Sequence, residues 1–191
     1  MCWGYNLFGG LGDGTYNSSL VPVNVTGIST RVVAVAAGMY YTCALTQEGA
    51  VKCWGYNSLG QLGDGTREER YQPVDVVGLE SGVVAIDAGA SHACALTQNG
   101  VVKCWGRNSL GQLGDGTKTD RLTPVTVLSL STTRILDISG GSNHTCALTQ
   151  EGTVKCWGSN SQGQMGDGVA VDYRLAPVEV SGLANVADLL E

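Results

Sequence analysis

The stretch TCALTQEGAVKCWG, Thr42 to Gly55, returns as ACALTQNGVVKCWG from Ala93 and as TCALTQEGTVKCWG from Thr145, and its last letters stand at Cys2-Trp3-Gly4. Nothing else in the chain constrains the fold as strongly, because self-similarity at a fixed period means stacked copies of one supersecondary unit. Trp3, Trp54, Trp105 and Trp157 follow one another at steps of 51, 51 and 52 residues. The four prolines, Pro22, Pro73, Pro124 and Pro177, keep nearly the same step, as do the Gly-Asp-Gly triplets that begin at Gly12, Gly63, Gly114 and Gly166.

Each long copy reads as a β-hairpin. TCALT is a short apolar and β-branched run, Gln-Glu-Gly is a turn, and AVKCWG is a second run. A three-residue loop ending in glycine is a common hairpin with an αL bulge, so Gly49, Gly100 and Gly152 are expected at positive φ. That loop pairs Thr46 with Ala50, Leu45 with Val51, Ala44 with Lys52 and Cys43 with Cys53. The same register sets Cys94 against Cys104 and Cys146 against Cys156. Disulfides within each hairpin are therefore expected, at non-hydrogen-bonded pairs where side chains approach most closely. Closing such a loop contributes up to about 2.8 kcal/mol on the chain-entropy argument. The competing reading is reduced thiols packed as small hydrophobes. A zinc site needs a Cys-x₂-Cys spacing, which is absent. Cys2 is the odd one out and should be a free thiol.

Composition narrows the function classes. Glycine at 28 of 191 residues and a single Phe suit a turn-rich all-β repeat, and no window carries a sustained helical period. Eleven basic against seventeen acidic residues give a net charge of −6. No Lys/Arg cluster exceeds a pair, so the electrostatic footprint of a nucleic-acid partner is missing. No apolar run reaches the length of a membrane span. Met1 stands directly before a mid-repeat Cys-Trp-Gly, with no signal peptide, and the last two residues are Leu-Glu. Both ends read as those of a piece excised from a longer chain.

One period runs from Arg31 to Val77. VVAVAAG (Val32–Gly38) is apolar throughout and is expected as an inner strand buried on both faces. The hairpin supplies two further strands. YNSLGQLGDGTREERYQ is an irregular segment with turn signals, and Pro73-Val74-Asp75-Val76 is the outermost strand, since proline tolerates only an edge. Four antiparallel strands per unit of 51–52 residues is one blade of a β-propeller. The expected fold is all-β: a partial propeller of about 3.7 repeats in a single array. Residues 1–30 form the outer strands of one blade, 31–81, 82–132 and 133–183 three full blades, and 184–191 the inner strand of a further one.

The pattern G-x-x-H-T-C-A-L-T-x-x-G-x-V-K-C-W-G-x-N-x-x-G-Q-L-G-D-G-T resembles the regulator of chromosome condensation repeat family, in its bacterial cysteine-bearing form. The resemblance covers essentially the whole chain. It implies a propeller, usually of seven blades, and no single activity: members include a nucleotide-exchange factor, a photoreceptor and a bacterial inhibitor of β-lactamases. Fold alone assigns no function.

Residues present in every copy belong to the scaffold. Asp13, Asp64, Asp115 and Asp167 each stand alone between glycines, which suits a turn and not a calcium loop, whose ligands alternate. The tryptophans are expected between blades, with Gly55 and its equivalents allowing close backbone approach. No Ser/His/Asp or Cys/His grouping departs from the repeat, and one His per blade cannot converge on a metal. The chain is thus expected to be no enzyme, with no cofactor, no catalytic residue and no metal ligand.

The copies disagree in two places. One is the tripeptide before the hairpin: Met39-Tyr40-Tyr41, Ala90-Ser91-His92, Ser142-Asn143-His144. The other is the segment between Gly-Asp-Gly and Pro: Arg67 to Tyr71, Lys118 to Leu122, Val169 to Leu175. Strand directions put both on one face, opposite the near-identical Thr-Gln-x-Gly turns. Variable loops on a rigid scaffold form a recognition surface, against the alternative of neutral drift in solvated loops. The candidate contact residues are Tyr40, Tyr41, Arg67, Arg70 and Tyr71, then His92, Arg107, Arg121, His144 and Tyr173. The expected function is a secreted or cell-surface binding module that recognises a protein. Alternatives are a carbohydrate or cell-wall binder, with Tyr40, Tyr41, Tyr71 and Tyr173 as stacking surfaces, and a regulatory or inhibitor domain of a larger secreted protein. Guanine-nucleotide exchange rests on the resemblance alone. Self-association to complete a propeller is also expected, since the array leaves blade surfaces and strand edges uncovered.

Overall fold

A computed structural model describes residues 1–130 and 134–183. The inner strand expected over 184–191 lies outside the described residues. All regular structure among them is β. The first sheet holds β1 (Cys2–Gly4) and β2 (Ser19–Val23). Three four-stranded antiparallel sheets follow, each in simple sequence order. The first of them contains β3 (Val32–Ala37), β4 (Tyr41–Thr46), β5 (Val51–Gly55) and β6 (Arg70–Asp75). The next contains β7 (Val83–Ala88), β8 (His92–Thr97), β9 (Val102–Gly106) and β10 (Arg121–Thr126). The last contains β11 (Ile135–Gly140), β12 (His144–Thr149), β13 (Val154–Ser159) and β14 (Tyr173–Glu179). These are propeller blades, with β3, β7 and β11 neighbouring one another at the inner side. No helix of the described residues is long and apolar enough to cross a membrane.

The hairpin register is the one the sequence requires. Leu45 faces Val51, Ala44 faces Lys52 and Cys43 faces Cys53, while the amide of Thr46 donates to Ala50 O at 2.9 Å. Gly49, Gly100 and Gly152 take φ of 81°, 76° and 75° in the turns. Cys43/Cys53, Cys94/Cys104 and Cys146/Cys156 stand at disulfide distance, with Cα atoms 4.1 Å apart in each pair. Cys2, partly buried, has no partner among the described residues. The proline-bearing strands β6, β10 and β14 pair on one side only, as a residue without an amide proton requires.

The inner strand departs from expectation. Val33, Val35 and Val84 stay 54%, 61% and 55% exposed, whereas β4 is buried throughout. The first strand of each blade is itself a sheet edge, covered by one hydrogen-bonded neighbour, so a continuous apolar run there does not imply burial on both faces. The core lies between blades instead. One cluster joins Tyr41, Cys43, Leu45, Val51 and Leu62 of one blade to Val83, Ala93, Ala95 and Trp105 of the next. A second joins Cys94, Leu96, Val102 and Leu113 to Ile135, Ile138, Ala147 and Trp157. Burial of this kind stabilises at roughly 25 cal/mol per Å² of apolar surface, so each blade depends on its neighbours.

The period follows from one contact. Trp54 Nε1 donates to Gly10 O at 2.8 Å, and Trp105 and Trp157 donate to Gln61 O and Gln112 O at 2.9 Å. Each indole thus binds the loop of the preceding blade. A Cβ on Gly63 would lie 2.9 Å from Trp105 Nε1, at a φ of +67°, so the first glycine of Gly-Asp-Gly is required twice over. Trp3, by contrast, is 63% exposed.

Candidate functional site: the variable-loop face

The connections from first to second strand and from third to fourth strand meet on one face of each blade. Tyr56 N donates to Tyr40 O, Arg107 N to Ser91 O and Ser159 N to Asn143 O, each at 2.9 Å. Gly55 must be glycine here, since its Cβ would sit 2.4 Å from Tyr40 O.

The longer connection is a rigid body, held by buried polar groups. Asn57 is wholly buried; its Nδ2 donates to Asp64 Oδ1 at 3.2 Å and Glu68 O at 2.9 Å, and its Oδ1 accepts from Leu62 N at 3.0 Å. Asn108 repeats the arrangement with Asp115 and Leu113. Asp64 also accepts from Thr66 N and Oγ1 and from Arg70 Nε at 2.9 Å. Burial works to raise the pKa of Asp64 and Asp115, but the Thr and Arg donors around them outweigh it and hold both carboxyls below the ordinary value. The aspartates are therefore saturated with protein donors. Among the described residues no group of three or more His, Cys, Asp or Glu converges as metal ligands do.

That frame corrects several expected contacts. Arg70 and Arg121 look variable in sequence, yet they pair with Asp64 and Asp115 at 2.9 and 2.8 Å, and Arg174 pairs with Asp167 in the same way. They lock the loop. Tyr41 is 1% exposed, far from a stacking surface. Its hydroxyl crosses to the next blade and donates to Gly89 O at 3.0 Å and to His92 O; burial, then the nearby Asp87, pushes its pKa up. His92, also 1% exposed, occupies the equivalent place and contacts Thr145 Oγ1 at 2.8 Å. Burial and the neighbouring His144 push its pKa down to about 4. Both side chains are inter-blade struts, fitted over Gly38 and Gly89, whose Cβ atoms would collide with their rings at 1.9 and 2.2 Å. His144 is partly buried, and burial lowers its pKa as well.

The remaining candidates do lie at the surface. Tyr40, Tyr71 and Tyr173 are 48%, 44% and 36% exposed. Arg67 is exposed and its guanidinium reaches Ser58 O, while Arg107, partly exposed, donates from Nε to Ser109 Oγ at 3.0 Å. Tyr173 lies under Lys118, whose ammonium is 4.2 Å from the ring centroid. Tyr5, Phe8 and Tyr56, absent from the sequence-based set, surround Tyr40 at ring-centroid distances of 5.4 Å from Tyr5 and 5.1 Å from Phe8, with Phe8 4.9 Å from Tyr56. Their signal was present: at this repeat position Tyr5 and Tyr56 give way to Arg107 and Ser159.

The Regulator of chromosome condensation (RCC1) repeat model matches residues 2–45, 48–96 and 99–148, and a second model of the repeat matches 32–61, 83–112 and 135–164. The chain belongs to the RCC1 repeat family. The Ultraviolet-B receptor UVR8 of Arabidopsis thaliana is 37% identical over 180 residues, which is 93% of this chain and 41% of that protein. The human Probable E3 ubiquitin-protein ligase HERC4 is 38% identical over 149 residues, 76% of this chain and 14% of that one. Among solved structures, human WBSCR16 superposes with a TM-score of 0.82 at 23% identity, covering 95% of this chain and 48% of its own. Yeast RCC1 (Prp20), solved bound to Kap60, gives 0.74 at 23% identity over 84% of this chain and 39% of its own. Those two likenesses concern the fold. This RCC1-repeat chain spans less than half the length of each of these relatives.

Proposed function

We propose that the chain is a non-catalytic recognition module whose variable-loop face engages another protein. One observation carries the reading. Most side chains that repeat from blade to blade are taken up by packing, ion pairs and buried hydrogen bonds, while exposed aromatic and arginine side chains that differ between copies lie on the face where two sets of connections meet. Rigid scaffolds that vary their loops in this manner present binding surfaces. The family supports it too: yeast RCC1 is solved with the protein Kap60, and Prp20p is described with binding to Gsp1p and histones. The three cystine-distance pairs fit an oxidising compartment, hence an extracellular or cell-surface setting. Photo-crosslinking residues placed at Met39, on the variable face, and at Gln98, on the opposite one, test this in the native cell. A partner captured from Met39 and not from Gln98 is expected; equal capture from both faces refutes the assignment.

A second reading concerns the chain with itself. Trp3, Leu20 and Val35 are 63%, 100% and 61% exposed, whereas Trp54, Trp105 and Trp157 lie at 2% or below against a preceding blade. A second copy covers this surface by blade-on-blade stacking in the 191-residue protein.

A further inference from the structure

Most of the chain's exposed aromatic side chains, Trp3 and Tyr173 apart, sit together. Tyr5, Phe8, Tyr40 and Tyr56 form one cluster, and Tyr16 and Tyr71 stack at 5.3 Å. The two groups are continuous, because the backbone of Tyr71 lies against Gly9, whose Cβ would be 2.6 Å from Tyr71 Cα. The single Phe and five of the seven tyrosines therefore make one ridge across the junction of the first two sheets. At the next junction the matching residues are Tyr56, Leu59, Ser91, Arg107, Arg67 and Leu122, and the ridge has dissolved. Packing between blades, which every junction needs, does not explain it.

Tyr40 adds an independent sign. Its φ is +67°, in the left-handed region that a bulky residue avoids, while Ser91 and Asn143 at the same place in the repeat do not adopt a positive φ. Strain of this kind persists where the surrounding structure over-determines it, and it clusters at ligand clamps. Here it holds a half-exposed ring between Tyr5 and Phe8.

We propose that this ridge receives an extended, proline-rich peptide segment of the partner, with acidic side chains toward Arg107. This rests on the reading of the face as a protein-recognition surface. Adjacent rings are tilted by 46–60° and spaced 4.9–6.1 Å, so they pack on one another into a stepped surface and not the flat platform on which a sugar chain stacks. Pyrrolidine rings of a polyproline II segment pack against the exposed faces and edges of such stepped aromatic surfaces, and the segment arrives already ordered. Its carbonyls have no internal partners, and the hydroxyls of these five tyrosines make no hydrogen bond among the described residues. The amides that would read sugar hydroxyls are already engaged: Asn6 bonds Thr15 O, Asn17 O and Leu11 N, and Asn57 is saturated as above. Charge sets the direction. Arg107 takes the repeat position of Tyr56 one blade beyond the ridge and has no carboxylate within ion-pair distance among the described residues, whereas Arg67 shares its loop with Glu68 and Glu69.

Fluorescence anisotropy of the oxidised full chain with a labelled (Pro-Pro-Glu)₅ peptide tests the idea. Saturable binding below 1 mM is expected on the order usual for single extended segments, with (Pro-Pro-Lys)₅ at least roughly fivefold weaker. Tyr40→Ala should weaken it about tenfold or more, and Ser91→Ala and Asn143→Ala should not. Tyr40→Asn, which tolerates the left-handed backbone, and Tyr56→Ser supply the same loss if Tyr40→Ala lowers the melting temperature. No saturation by the acidic peptide, or indifference to all three tyrosine variants, overturns the proposal. So does Tyr40-dependent binding of chitohexaose or cellohexaose in its place. A partner crosslinked from Met39 whose capture ignores Tyr40 and Tyr56 overturns the ridge and leaves the protein-recognition reading intact; no capture from that face removes both.

Discussion

His92 gives the molecule a pH dependence that can be worked out from its contacts. Thr145 Oγ1 donates its proton to Gln112 O at 3.0 Å, so it accepts from His92 Nε2. The proton therefore sits on Nε2, and buried Nδ1 has no partner among the described residues. Protonating Nδ1 places a cation in the inter-blade core beside His144 with nothing to accept it. The folded pKa, about 4, is below the unfolded value, about 6.5. Between these values the unfolded chain binds a proton that the folded chain refuses, so stability is full above pH 6.5 and falls as pH drops. From pH 7 to pH 5 the linkage costs about 2 kcal/mol, and partly buried His144 adds in the same direction. Urea unfolding followed by tryptophan fluorescence at pH 7, 6 and 5 should show the midpoint falling by roughly 0.7–1 M. His92→Tyr should abolish most of that slope while keeping the fold. The repeat itself uses Tyr41 at this place, Gly89 leaves the same room as Gly38, and Gly141 O lies 2.5 Å from the Gly89 Cβ position as Gly89 O lies 2.6 Å from that of Gly38. An unchanged slope in His92→Tyr, or a wild-type loss under about 0.5 kcal/mol, a quarter of the linkage cost, would refute the reasoning.

Non-reduced peptide mapping should return Cys43–Cys53, Cys94–Cys104 and Cys146–Cys156, and a link such as Cys53–Cys94 would contradict the hairpin register. Reduction should lower the melting temperature without unfolding the chain, since inter-blade packing remains. Gly63→Ala combines a positive φ with collisions against Trp105 and Val76, and should cost more than Gly27→Ala, which shares the φ but has open space around it; about 1 kcal/mol or more separates them by thermal melting. Arg121→Ala should cost about 1 kcal/mol, as its side chain is partly solvent-screened. Because Asp115 is held below its ordinary pKa, its contribution is present above about pH 4 and lost as pH falls further, so the variant should be less sensitive to acid in that range. Light scattering of the dilute protein should give more than the 19.8 kDa of one chain; a concentration-independent monomer excludes the self-stacking reading.

The hairpins were legible because two local rules agree: a three-residue turn ending in glycine fixes the pairing, and facing cysteines fall at the closest cross-strand positions. The edge strand was legible from a single proline in each copy. What misled was reading an apolar run as two-sided burial. VVAVAAG carries the pattern of a central strand, but its counterparts VVAIDAG and ILDISGG interleave Asp87 and Asp137 and tell of an edge. Tyr41 and His92 were misplaced for a different reason. They follow a variable pair of residues and looked variable themselves, though a glycine three residues earlier accompanies each of them and marks a ring that needs its space. Arg70, Arg121 and Arg174 were missed as scaffold because one inserted residue shifts Arg174 against its aspartate, hiding a pairing that the other two copies share.

The same loop chemistry bears on recognition. Loops that stay mobile must be ordered on binding, at about 0.5–1.5 kcal/mol for each side chain immobilised. Here the long connections are ordered in advance by Asn57 and Asn108, by the aspartate–arginine pairs, and by glycines pressed against the next blade's indole. Those groups point inward and are nearly identical from copy to copy. Positions such as 40, 56, 67 and 71 point outward, and none contributes a hydrogen-bonding side chain to a buried network. Each can change without disturbing the frame beneath it. A face built in this way can specialise one blade junction at a time, which accounts for an aromatic ridge at the first junction, arginine at the second and the Lys118–Tyr173 stack at the third.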